Sequence, residues 1–363
     1  MLKKAAALFV VGVSLATWMS CGKNVSRFLY AAIPGANQIE EFREDPNTGI
    51  LTALSGSPIP AGPAVESVVV HPSNKFLYAA NSGEGDISRY TISTGGVLNE
   101  IPSRTLVGTG ITTPLFLAMD STGSFLYVGS VGISNAAVSV FSIDTSSGAL
   151  NPVSGSPFQI GISPTGMVLA PNGSTLYVLG GGSPQGYIEV WTVTSGVLSQ
   201  LVQVIQPGAN PSGITMAPSG SFLYVANTTD NSISEYSVGS NGVLTELQQS
   251  SPLGQSSQYS GPVALQVDNS GKYLYVANSG TSNLSAYGIG SDGSLTILST
   301  SPFATSSQPN FIAPDPSGNH LFVGNQASSA IIQAFNLDTG TGALTSIATY
   351  GVGNTPKSIA VTH

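Results

Sequence analysis

Beyond Arg104 the chain has no arginine, and Lys272 and Lys357 are its only later lysines. Charged residues are 8% of the sequence, about a third of the usual share. A surface that neutralises nucleic-acid phosphates needs clustered Lys or Arg, so nucleic acid is excluded as a partner. The net charge of −8 offers no attraction to anionic lipid. Cys21 is the only cysteine, so no intramolecular disulfide can form. No two of the three histidines stand at metal-ligand spacing, and HExxH and GxSxG are absent. No metal or cofactor is therefore expected.

What is present begins with an export signal. "MLKK" is a short basic segment, and the apolar run "AAALFVVGVSLATWMS" that follows is too short for a comfortable membrane span. Residues 1–20 read as a signal peptide and 21–25 as a short tether. Cys21, at the boundary, resembles the lipidation cysteine of bacterial lipoproteins, although Trp18 and Met19 replace the leucine and small residue usual there. The alternative is an ordinary signal peptide with an incidental cysteine. On the lipoprotein reading the protein is exported to the periplasm or cell surface and touches the membrane only through its anchor.

Seven internal repeats fill the rest. Leu-Tyr and its variants end at Tyr30, Tyr78, Tyr127, Tyr177, Tyr224, Tyr275 and Phe322, spaced by 48, 49, 50, 47, 51 and 47 residues. A second aromatic follows each: Phe42, Tyr90, Phe141, Trp191, Tyr236, Tyr287 and Phe335. Each unit also carries a Gly-x-Leu, beginning at Gly49, Gly96, Gly148, Gly196, Gly242, Gly293 and Gly342.

One unit decomposes into four strands. "SFLYVAN" (221–227) and "SISEYSV" (232–238) alternate with the two-residue period of a half-buried strand. "GSNG" turns into "VLTEL", and a fourth apolar stretch, "PVALQV", ends in the turn "DNSG". Four antiparallel strands in about 48 residues make a propeller blade, and seven blades close into a ring. The expected fold is all-β, a seven-bladed propeller in one domain over residues 26–363, with a monomer as the default. The chain starts at the second strand of a blade and ends at the first, so strand 358–363 is expected to pair with 27–32 and remove the open sheet edge.

"LYVAN" followed by an "ISxY" strand, varied through seven units, resembles YVTN-type propellers and in particular the lactonase-family seven-bladed propellers. That resemblance implies descent from hydrolases of 6-phosphogluconolactone. It rests on packing and turn positions, and fold alone does not fix function.

Function is sought where each innermost strand begins. A proline marks that point at Pro114, Pro164, Pro211, Pro262, Pro309 and Pro356, with Val65 in the remaining copy. The next residues form a ring: Glu66, Leu115, Thr165, Ser212, Val263, Asn310 and Lys357. In the family resembled, these positions typically bring histidine and arginine to the pocket. Here only "PNF" keeps a recognisable piece, without its arginine. Lactone opening needs a general base and a group facing the developing oxyanion, roles open to Glu66 and Lys357. A structural ion pair between these two is the favoured alternative. Thr165, Ser212 and Asn310 are candidate ligand-binding residues at the mouth. A phosphorylated substrate would normally recruit arginine, which is missing.

Other polar residues read as structural. His71, Asp120, Asp268 and Asp315 share the turn after the innermost strand, where an Asp caps the turn through its side-chain oxygen. His320 replaces a blade aromatic and is expected to pack, and His363 is terminal. "GGGSPQG" (180–186) lacks the lysine and helix of a phosphate loop, and "EGD" (84–86) reads as a solvated loop rather than a calcium site. With so few charges in the ring, the expected function is a non-catalytic, envelope-anchored scaffold binding a protein, peptide or glycan. The alternative is a lactone hydrolase with an altered site that takes a small lactone.

Overall fold

The computed structural model describes residues 26–133, 135–181, 185–252, 258–326 and 330–363. Cys21, the signal segment and the tether lie outside the described residues, as do 182–184 of the glycine-rich stretch. Among the described residues there are seven antiparallel sheets of four or five strands and a single 3-10 turn, Pro34–Ala36. Each sheet is one blade. The innermost strands are Ser358–Val361, Val65–Val70, Ile111–Met119, Pro164–Leu169, Pro211–Met216, Pro262–Val267 and Pro309–Pro314, numbered here as blades one to seven. Blade one is built from both ends of the chain: Ser358–Val361 pairs with Arg27–Ile33 in the register Leu29 to Val361 and Ala32 to Ser358. Thr362 extends the joint, its hydroxyl accepting from the Phe28 N–H at 2.9 Å.

The repeated motifs hold neighbouring blades together. The tyrosine hydroxyl of one blade donates to the Gly-x-Leu glycine carbonyl of the next: Tyr30 to Gly96 at 2.6 Å, Tyr78 to Gly148 at 2.9 Å, Tyr177 to Gly242 at 2.8 Å, Tyr224 to Gly293 at 2.9 Å and Tyr275 to Gly342 at 2.9 Å. Two residues before each tyrosine, a side chain lies flat on that same glycine. A Cβ on Gly96 would run into the Phe28 ring, and one on Gly293 into Phe222. Both glycines also have positive φ, so no other residue suits these positions. Between blades the buried faces pack as separate apolar clusters, with Tyr30, Val68 and Leu77 joining blades one and two, for example. Burying an aromatic or branched side chain there contributes ~1.5–3 kcal/mol each, which makes the blade interfaces the source of stability.

The outer strand is broken in blades one, three and six. Its two parts flank the cis prolines Pro58, Pro157 and Pro302, in the Pro- and Ser-rich connections between blades.

Candidate functional site: the channel mouth

The ring residues owe their orientation to a local irregularity. In blades two and four to seven the innermost strand shifts register by one residue just after its first position, for instance between Pro164 and Gly166 and between Pro309 and Phe311; in blade three, whose strand starts earlier, the shift falls after Pro114. The unpaired residues are Glu66, Leu115, Thr165, Ser212, Val263 and Asn310. A β-bulge of this kind bends the strand and re-aims one side chain. Lys357 occupies the same place in blade one, immediately before the strand, with its N–H on the Ala32 carbonyl at 3.0 Å. All seven ring residues line one central cavity of about 440 Å³. The spacing of the prolines thus locates the ring correctly. The bulge has no signature in the sequence beyond the proline, whose missing N–H suits the disrupted ladder.

The three polar ring residues assigned to ligand binding are tied into the ring itself. Thr165 Oγ1 donates to the carbonyl of Pro211 at 3.1 Å, and Ser212 Oγ to that of Pro262 at 3.2 Å. Asn310 Nδ2 donates to the carbonyl of Pro356 at 2.7 Å. Each bond runs from one blade to the next, so these side chains brace the mouth.

Glu66 and Lys357 remain the two charges of the cavity wall. No ion pair joins them within 4.0 Å, which removes the structural-pair alternative in this geometry. Glu66 is half-buried, with the Ser82 hydroxyl at 3.4 Å, and Lys357 is exposed. The mouth therefore offers one carboxylate and one ammonium over walls of mixed polar and apolar surface, the apolar part including Leu115, Phe116, Val263 and Phe311.

The turn residues behave as expected. Asp268 accepts from the N–H groups of Ser270, Lys272 and Tyr273, and Asp315 from those of Ser317, Asn319 and His320. Glu84 of the acidic loop is paired with Arg104 at 2.7 Å. His363 is anchored rather than loose, exchanging both backbone bonds with the Asn74 amide.

His320 departs from expectation. It does occupy the blade-aromatic position, against Gly49, but it also carries charge. Its Nδ1 lies 3.0 Å from Glu44 Oε1 and 3.7 Å from Asp315 Oδ2, and Asp315 in turn bonds Arg27 at 2.8 Å. Burial alone would lower the imidazole pKa, but hydrogen bonds to Asp315 and Glu44 overcome this and hold it at about 9. Burial would raise Asp315, yet His320 and Ser317 keep it at about 2, while burial leaves Glu44 above its ordinary value. Potential ligand atoms of Glu44, Asp315 and His320 lie within 4.8 Å of one another. With Arg27 already on Asp315 and a proton on the imidazole, this is a charge-balanced ion cluster rather than a metal site. It sits at the joint between blades seven and one, where Phe322 replaces the interlocking tyrosine.

Fold and mouth together define a class: a seven-bladed propeller whose channel opens on a carboxylate and an ammonium set among apolar side chains. The chain belongs to the family described as "Lactonase, 7-bladed beta-propeller", matched over residues 57–161, 156–255 and 207–361. It is 27% identical over 357 residues to the 6-phosphogluconolactonase of Pectobacterium carotovorum, covering 93% of this chain and 99% of the relative. The 6-phosphogluconolactonase of Erwinia tasmaniensis is 26% identical over 347 residues, with the same coverage. Among solved structures, the periplasmic gluconolactonase of Pseudomonas aeruginosa superposes with a TM-score of 0.75 at 18% identity, covering 93% of this chain and 99% of that one. A Lactobacillus plantarum protein gives 0.76 at 20% identity, over 93% and 99%.

These relatives correct the expectation of a non-catalytic scaffold. Nearly full-length relatives are named for lactone hydrolysis, which fits the alternative better. The sparse charge of the ring was the wrong ground for excluding catalysis, because hydrolysis needs few charges if those present are unpaired and face one cavity.

Proposed function

We propose that the chain is a lactone hydrolase acting at the channel mouth. Glu66 takes a proton from water, and the hydroxide adds to the lactone carbonyl carbon. The ammonium of Lys357 faces the oxyanion that forms. Collapse of the tetrahedral intermediate breaks the ring C–O bond, and the departing alkoxide recovers the proton from Glu66, giving a hydroxy acid. The observation that carries this reading is that the two charges of the cavity wall, on neighbouring blades, are not paired with each other. The test is base uptake at fixed pH over a panel of lactones, with Glu66→Gln and Lys357→Ala beside the parent. Saturable turnover lost in both variants supports the assignment, and turnover intact in both removes it.

The same reading includes an exported, monomeric lipoprotein of the periplasm or cell surface, anchored through Cys21. The basic "MLKK", the apolar run and the single cysteine support it. Retention of a Cys21→Ser variant in the membrane fraction after export would overturn the lipid anchor.

A further inference from the structure

We infer that the cavity takes a lactone with an alkyl or aryl body in preference to a polyol or a phosphorylated sugar. This rests on the hydrolase reading above and deepens it. A sugar lactone leaves water only if its hydroxyls find partners, since each buried unpaired hydroxyl is strongly unfavourable. Beyond the Ser67 hydroxyl and the Lys357 ammonium, the side chains of the wall have few donors to offer. Those of Thr165, Ser212 and Asn310 already serve proline carbonyls of the next blade. Deeper in, Gln266 Nε2 bonds the Val267 carbonyl at 2.9 Å, and Ser358 Oγ bridges the backbone of Val68. The free amide oxygen of Asn310 is closed off beside Gly324. The apolar residues that line the cavity between these groups include Leu115, Phe116, Val263 and Phe311.

Charge points the same way. Among the described residues Lys357 is the only cation of the lining and no arginine reaches it, and Glu66 would repel a phosphate. A dianion needs more, as bidentate guanidinium contacts are the usual means of holding one. The ester group itself requires only Glu66 and Lys357. The cavity volume of about 440 Å³ falls within the range of small-molecule sites and leaves room for a ring with a short chain.

The experiment compares kcat/KM of the purified protein for δ-valerolactone, δ-hexalactone, δ-nonalactone, D-glucono-δ-lactone and 6-phosphoglucono-δ-lactone at fixed pH. The expected result is a rise of about fourfold per added methylene along the alkyl series, with both sugar lactones below δ-nonalactone. Phe116→Ser should flatten that rise along the alkyl series, a comparison of slopes within one variant that a folding defect would not mimic. Turnover in which either sugar lactone is preferred overturns this inference alone. Turnover of no lactone removes the hydrolase reading and this inference with it.

Discussion

The imidazole Nδ1 of His320 stands 3.0 Å from Oε1 of Glu44 across the joint that closes the ring, although 276 residues separate them in the chain. This contact places a titrating group where four of the other blades use a phenylalanine: Phe28, Phe76, Phe125 and Phe222.

Stability should therefore depend on pH in a defined way. His320 has its pKa raised from 6.5 to about 9, so its contribution is complete below the unfolded value and is lost as pH rises through about 9. The size is about 3 kcal/mol for a shift of this order. Asp315, held at about 2, contributes above its unfolded value and loses that contribution only as pH falls through about 2. Glu44 acts oppositely, since its raised pKa makes the ionised form unfavourable in the fold and protonation relieves it. Thermal unfolding between pH 6 and 10 should show Tm falling across the alkaline range. His320→Phe should lower Tm at pH 6 and flatten that decline; an unchanged decline would assign it elsewhere.

The tyrosine–glycine interlock can be tested one blade at a time. Tyr224→Phe removes the donor to the Gly293 carbonyl and leaves a buried acceptor unpaired, at ~1–3 kcal/mol. Gly293→Ala should cost more, because the added methyl meets Phe222 and the backbone is in the left-handed region. Urea unfolding measures both, with the Ala variant expected at the lower midpoint.

At the mouth, bracing and chemistry should separate. Glu66→Gln is expected to lower kcat by ~10²–10⁴, the range for loss of a general base. Lys357→Ala is expected to lower it by ~10²–10³. Thr165→Val removes the bond to Pro211 and should reduce stability by ~1 kcal/mol with kcat/KM unchanged. A large loss of kcat/KM in Thr165→Val at full folding would return that hydroxyl to the site.

Removing residues 358–363 should abolish closure of the ring. The deletion leaves the strand Arg27–Ile33 with an unpaired edge, a template for association with other chains. Size-exclusion chromatography should show a shift to larger species relative to the parent protein.

The architecture was legible because each repeated residue does the same physical work in every blade: Leu-Tyr fills an interface, Gly-x-Leu receives the tyrosine, and proline starts the innermost strand. The mouth ring was legible for the same reason. The ion cluster was not, because Arg27, Glu44, Asp315 and His320 come together only when the ring closes. A signal did exist: the seventh copy departs from the pattern twice, with His320 for an aromatic and Phe322 for a tyrosine. The bracing role of Thr165, Ser212 and Asn310 was also hidden, since a hydroxyl or amide beside a cavity looks the same in sequence whether it faces a ligand or a neighbouring carbonyl.

The composite blade also sets an order of events during synthesis. Among the described strands of the propeller, Arg27–Ile33 leaves the ribosome before all the others, and its partner Ser358–Val361 after them. Six blades can form from contiguous chain while the seventh waits. The ring is therefore finished by the meeting of its two most distant strands rather than by any single folding domain, and Arg27–Ile33 must be kept from other partners until Ser358–Val361 has emerged.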